Sequence, residues 1–192
     1  MLRIVVFGSG RGSNFESIVD AIESGDLPVK IVLVIVNNPE APMIDKAREN
    51  YIPVAVIPHH QISREEHEEA ILRELERIDY DLICLAGYMR ILSPNFLRSV
   101  KSKIINIHPS LLPSFPGLHA QKQAVDYGVK YSGCTVHVVN EDIDGGKILG
   151  QDVVEVKSDD TEETLAARIL EKEHQLYPRI LFDIAFGNIH LD

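Results

Sequence analysis

Cysteine is scarce in this chain, and where it does occur it forms no pattern. Cys84 and Cys134 lie far apart inside apolar runs, with neither a C-x-x-C pair nor zinc-ligand spacing. That excludes a disulfide framework and leaves two buried thiols, as in a reducing cytosol. No apolar run approaches the roughly 18 residues of a membrane-spanning helix. The opening MLRIVVFGSG has neither the apolar length nor the cleavage pattern of a signal peptide. A cytoplasmic protein with no membrane partner is expected. Basic residues are also in short supply, 19 Lys and Arg against 29 Asp and Glu, for a net charge of −10. No nucleic-acid partner is expected either, because phosphate contacts need clustered cations. Internal repeats, low-complexity tracts and a linker-like stretch are missing too, so the chain reads as one domain, 1–192.

The 192 residues, 45% of them apolar and 25% charged, are enough to bury a core without staples. Short β-branched runs alternate with helical patterns. Strands are expected at 2–8, 29–36, 54–57, 82–87 and 103–108. The helices between them are expected at 14–25, capped by Ser13 or Asn14, at 42–50, from Ser63 to about Ile78, and at 93–100 with Ser93 as cap and Pro94 in the first turn. After residue 130 two strands, SGCTVHVV and KILGQDVVEV, are joined by a turn too short for a helical crossover, so they should pair antiparallel. A last helix is expected from Thr161, with Pro178 kinking it or starting a new segment. The fold class is therefore α/β: a Rossmann-like, mainly parallel twisted sheet with helices on both faces and antiparallel strands in the C-terminal part.

GSGRGSN, residues 8–14, follows the first strand and opens the first helix. Unpaired N–H groups at a helix start favour an anion. The dinucleotide fingerprint fails, because its third glycine would fall at Ser13, so nicotinamide is not expected. No G-K-[ST] follows, so it is no Walker loop. A single phosphate held by the backbone, the Ser13 hydroxyl and the Asn14 amide fits better.

NIHPSLLPSFPG, residues 106–117, ends the fifth strand. Asn106 and His108 share a face at the carboxyl end of the strand, where open α/β sheets bind ligands. Pro109 holds His108 extended and stops the strand. An amide N–H and an imidazolium can both donate to an oxyanion of carbonyl addition, and a carboxylate would favour the charged imidazole. NEDIDGG, residues 140–146, supplies two candidates, Asp142 and Asp144, which spacing does not separate. His59 and His60 have no third ligand at metal spacing, so no metal is expected there. His137, inside TVHVV, reads as a packed strand residue.

NIHPSLLPSFPGLHA, preceded by GRGSN and followed by DIDGG and EKEHQLYP, resembles the phosphoribosylglycinamide formyltransferase family of formyl-folate enzymes over essentially the whole chain. The resemblance implies transfer of a formyl group from 10-formyltetrahydrofolate, as co-substrate, to the amine of glycinamide ribonucleotide in purine synthesis, without a metal. It implies Asn106, His108 and Asp144 as catalytic residues. For the ribonucleotide it implies Gly12, Ser13, Asn14 and Glu173. For the folate it implies Arg64, Met89, Arg90, Ile91, Leu92 and Leu97, with Asn140, Glu141, Asp142, Ile143 and Asp144. Residues 1–100 would be the ribonucleotide phosphate-binding half and 101–192 the catalytic and folate-binding half. The partners implied are small-molecule substrates, the chain acting as a monomer or weak homodimer. Arg11 stands where an uncharged residue is familiar. A tRNA formyltransferase would need a second, basic domain, and a formyl-folate hydrolase would have no use for a phosphate loop. A non-catalytic nucleotide-binding module would leave Asn106, His108 and Asp144 together unexplained.

Overall fold

In the computed structural model, which describes residues 1–191, strands and helices alternate as the apolar runs demand. The strands hydrogen-bond in the order β3-β2-β1-β4-β5-β6-β7, mostly parallel, with helices flanking the sheet. The chain divides into two compact units, Met1–Ile105 and Asn106–Asp192.

The first unit contains β1 (Leu2–Gly8), α1 (Ser13–Glu23), β2 (Val29–Val36), α2 (Met43–Glu49), β3 (Val54–Val56), α3 (Arg64–Leu75), β4 (Leu82–Leu85) and α4 (Pro94–Ser99). β1 pairs in parallel with β2 on one side and β4 on the other, Phe7 standing opposite Ile35 and Leu85. A strand paired on both edges and covered on both faces must be apolar throughout, and Ile4, Val5, Val6 and Phe7 are fully buried. The helix starts are set by side chains. Ser63 and Glu66 close a capping box on α3, and the Ser93 hydroxyl accepts from Phe96 N–H at the start of α4, each satisfying amides the first turn leaves open. α3 ends at Leu75, short of the expected Ile78. The next residues tighten into turns, with Arg77 N–H on the Glu74 carbonyl and Ile78 N–H on that of Leu75.

β5 (Lys103–His108) runs across the division and stops at His108, before Pro109. The second unit then holds α5 (Ala120–Tyr127), β6 (Tyr131–Val138), β7 (Ile148–Glu155) and α6 (Glu162–Ala185). α5 falls in a stretch for which no helix was expected. It buries Ala120 and Ala124 and is closed by Gly128 in the left-handed conformation, a helix-stop signal that the surrounding prolines obscured. β6 and β7 pair antiparallel from Tyr131 opposite Glu155 to His137 opposite Ile148, with an irregularity between Val136 and His137. Pro178 does not start a new segment, since α6 runs through it for 24 residues. A proline removes one intrahelical hydrogen bond, and here the buried stripe of Leu165, Ile169, Leu176, Ile180 and Leu181 continues on either side of it.

Candidate active site

The second unit gathers four polar side chains at the end of β5 and in the turn between β6 and β7. Asn106 and His108, two residues apart on β5, present side chains on the same side. His108 is 5% exposed. Its Nδ1 lies 3.3 Å from Oδ2 of Asp144, and its Nε2 lies 2.9 Å from the Phe115 carbonyl. A carbonyl only accepts, so Nε2 carries a proton. The imidazole ring thus lies between one carbonyl and one carboxylate. Asp144 also accepts from Gly117 N–H at 2.7 Å.

Asp144 is the carboxylate of this turn that lies beside His108, and the Asp142 main chain helps build the turn. Asn140 Oδ1 accepts from Asp142 N–H at 3.1 Å, and the Asp142 carbonyl accepts from Gly145 N–H at 3.3 Å. Asp142 is thus used in building the turn, an Asx-type arrangement. Asp144 has a φ of 52°, left-handed backbone that Asp tolerates better than most residues. Gly146 follows where a Cβ would come 1.7 Å from the Val138 carbonyl oxygen, so only glycine fits.

His137 is packed in β6 as expected, 2% exposed, but its ring also joins the group, a place the sequence reading did not assign it. Its Nε2 is 3.3 Å from Asn106 Nδ2 and 3.6 Å from Asp144 Oδ1, while its Nδ1 is 3.0 Å from the Val138 carbonyl. Burial holds its pKa below the usual histidine value of 6.5, outweighing the Val138 carbonyl and Asp144, which raise it; nearby His108 lowers it further. The signal for it was the same two-residue periodicity, from Thr135 to His137, but nothing local says what lies opposite a strand.

Glu173 lies in the second unit as well, buried at 7% exposure on α6. Ile143 is exposed beside Asp142, and His119 stands at the start of α5 with Nδ1 3.4 Å from Glu162.

In the first unit the glycine loop is capped differently from the expectation. Gly12, with φ 72°, is the N-cap of α1; Ser13 and Asn14 are its first two helical residues, and no side chain caps the helix. The left-handed Gly12 starts the helix earlier than the expected Ser13 or Asn14 cap, and a Cβ there would lie 2.7 Å from the Met43 side chain. The first-turn amides are therefore left without a side-chain cap. The Ser9 hydroxyl accepts from Met89 N–H at 2.9 Å, and Ser9 N–H donates to the Gly87 carbonyl at 3.1 Å. Arg11 is exposed.

The expected folate residues of this unit form a second group. Arg64 donates to the Ile91 carbonyl and lies 3.4 Å from the buried Glu68 carboxylate. Glu68 accepts from both the backbone N–H, at 2.8 Å, and the hydroxyl of Ser93. Met89 and Ile91 are exposed and Leu92 is buried, while Arg90 and Leu97 are half-buried. His59 stacks near His60 and lies edge-on to His67. Among the described residues no three His, Cys, Asp or Glu are grouped as metal ligands, and no helix is long and apolar enough to cross a membrane.

Comparison with known proteins gives a consistent family. The Formyl transferase family model matches residues 2–181. The phosphoribosylglycinamide formyltransferase of Haemophilus influenzae is 42% identical over 192 residues, covering 100% of this chain and 91% of that protein. The Bacillus subtilis protein of the same name is 41% identical over 182 residues, covering 94% and 93%. The chain also matches the trifunctional purine biosynthetic protein adenosine-3 of Drosophila melanogaster, 44% identical over 188 residues, but spans only 14% of its length. Among solved structures, that of glycinamide ribonucleotide transformylase 1 from Symbiobacterium toebii has a TM-score of 0.95 at 39% identity, covering 100% of this chain and 91% of that one.

Proposed function

The chain belongs to the formyl transferase family, and from that premise we propose that it transfers a formyl group from 10-formyltetrahydrofolate to the amine of glycinamide ribonucleotide. The observation that carries the proposal is the grouping of Asn106, His108 and Asp144, with His108 Nδ1 3.3 Å from the Asp144 carboxylate. A formyl carbon attacked by an amine becomes tetrahedral, and its oxygen becomes an oxyanion. An Asn106 N–H and the imidazolium of His108 are donors suited to that charge. Asp144 pairs with the imidazolium and, through water, assists the proton's passage from the attacking amine to the leaving folate nitrogen. Because His108 Nε2–H is bonded to the Phe115 carbonyl, it reaches the oxyanion only by leaving that carbonyl. The loop from Phe115 to Gly117 is therefore part of the catalytic cycle.

In this reading the ribonucleotide phosphate belongs to the amides of Gly12, Ser13 and Asn14 at the start of α1, and Glu173 holds the ribonucleotide. The folate belongs to Arg64, Met89, Arg90, Ile91, Leu92 and Leu97 and to the turn 140–144. We take 1–192 as one formyltransferase domain, with the phosphate loop in 1–100 and the catalytic residues in 101–192. It is cytoplasmic, a monomer or weak homodimer, and needs neither metal nor nicotinamide.

The test is release of deformylated folate from 10-formyltetrahydrofolate by the purified protein, with and without glycinamide ribonucleotide. Release that requires the ribonucleotide is expected. Equal release in its absence would mean a hydrolase and would overturn the phosphate assignment. No release by the folded protein would leave a binding module.

A further inference from the structure

The orientation of Asn106 needs an explanation that the reaction itself does not give. A carboxamide has two ends of nearly equal shape and opposite character, a donor nitrogen and an acceptor oxygen. Turning it over exchanges them. An oxyanion is stabilised by the nitrogen end and repelled by the oxygen end, so something must set which end is presented.

We propose that His137 is a positioning residue for Asn106: as a neutral ring with its proton on Nδ1, it accepts a hydrogen bond from the Asn106 amide at Nε2 and fixes the donor end of that amide. The inference rests on the formyl-transfer reading for the role of Asn106, but its hydrogen bonds stand on geometry alone. Nδ1 of His137 is 3.0 Å from the Val138 carbonyl, which can only accept, so Nδ1 is protonated. In the neutral ring Nε2 then has a lone pair, and Asn106 Nδ2 lies 3.3 Å from it. One amide hydrogen is committed to His137, and the second remains to donate to substrate. In the charged ring Nε2 would carry a hydrogen too. Two donors would then face each other, and the nearest acceptor would be Asp144, 3.6 Å away. The groups facing the ring are Asn106 and His108 from β5, the Val138 carbonyl at the end of β6, and Asp144 from the following turn. Burial, which disfavours the charged ring, works in the direction the hydrogen bond requires.

The role also accounts for a buried imidazole on β6 where any apolar side chain would pack. His137 touches Asn106, not the reacting atoms, so its loss should lower turnover without loosening the substrates.

Two measurements test this. In the first, the unsubstituted protein carries ¹⁵N-labelled histidine, and its imidazole tautomers are read at neutral pH by long-range proton–nitrogen correlation. His137 is expected as the Nδ1–H tautomer with an unprotonated Nε2; an Nε2–H tautomer or an imidazolium overturns the proposal. This spectrum does not depend on the reaction, so failure of the ribonucleotide assay would overturn the functional reading and leave the tautomer result to judge the hydrogen bond. In the second, His137→Phe removes the acceptor at similar size, and His137→Gln places an amide oxygen near the position of Nε2. His137→Phe is expected to lower kcat about tenfold to a hundredfold, a part of what an oxyanion donor is worth, with both KM values within about threefold. His137→Gln is expected to restore kcat to within about fivefold of the starting enzyme. Equal losses in the two variants, or a loss carried by KM, would mean that the ring only fills space and would overturn the proposal. Should neither variant fold, the tautomer spectrum alone decides.

Discussion

At the scale of single residues, the chemistry reduces to which atoms can donate and which can only accept. Asn106 supplies a neutral donor, and nothing else on β5 can replace its amide. Asn106→Ala is therefore expected to lower turnover on the order of 10²- to 10³-fold with substrate binding intact. A loss under about tenfold in steady-state kinetics would remove the oxyanion role. Asp144 lies 3.3 Å from His108 Nδ1 and also accepts from Gly117 N–H. Asp144→Asn keeps an acceptor oxygen for Gly117 and removes the negative charge. The His108 ring then loses the carboxylate beside it, so activity should fall and the pH–rate profile should change. Circular dichroism should report an unchanged fold. An unmoved profile would take Asp144 out of the proton path.

At the scale of elements, the turn between β6 and β7 has to be built before Asp144 can point anywhere. Its backbone bonds run from Gly145 N–H to the Asp142 carbonyl and from Val138 N–H to the Lys147 carbonyl. Gly146 sits where a Cβ would be 1.7 Å from the Val138 carbonyl oxygen, a collision with backbone that no rotamer relieves. Gly146→Ala should cost about 1–3 kcal/mol in urea denaturation, the usual range for overpacking a tight site. It should also lower activity, because the shift that relieves the clash moves Asp144. A variant as stable and as active as the starting protein would show that the turn yields freely. α6 makes the complementary point, for a helix with a long buried stripe is not ended by one proline.

At the scale of the whole molecule, acid acts on stability in two stages. His67 is 1% exposed, with Nε2 2.9 Å from the Ile57 carbonyl. Burial first, then the positive charges of Arg90 and His59, outweigh the Ile57 carbonyl and Glu68 and hold its pKa below 6.5. His137 is held low in the same direction. A histidine that resists charging in the folded state binds fewer protons than in the unfolded chain. Its contribution is therefore intact above about 6.5 and is lost as pH falls from there toward the folded value. The second stage belongs to carboxylates. Hydrogen bonds from Arg3 lower the pKa of Asp81, and those from Arg168 lower that of Asp160, from the ordinary 3.8. Their contribution is present above 3.8 and lost as pH falls through their folded values. The melting temperature should thus fall between pH 7 and pH 5, and His67→Gln, which keeps a donor for Ile57 but cannot titrate, should flatten that fall. Parallel curves for the two proteins would exclude His67 as a source of the acid sensitivity.

The sequence alone determined whatever is local and periodic. Continuous apolar runs predicted β1 and β2, Ser93 and Pro94 the start of α4, and the paired placement of Asn106 and His108 followed from the two-residue repeat of a strand. Local chemistry even led to the glycine loop, though not to Gly12 as its cap, because a left-handed residue starts a helix one step earlier than side-chain preference suggests. Tertiary structure decided what depends on partners remote in sequence. Spacing left Asp142 and Asp144 open and the family resemblance chose Asp144, but only the folded turn shows its carboxylate 3.3 Å from His108 Nδ1. His137 is packed in its strand as expected, but its neighbour Asn106 lies 31 residues away. A side chain's type and spacing are written along the chain, but a hydrogen bond is a distance and an angle, and those exist only once the strands have paired.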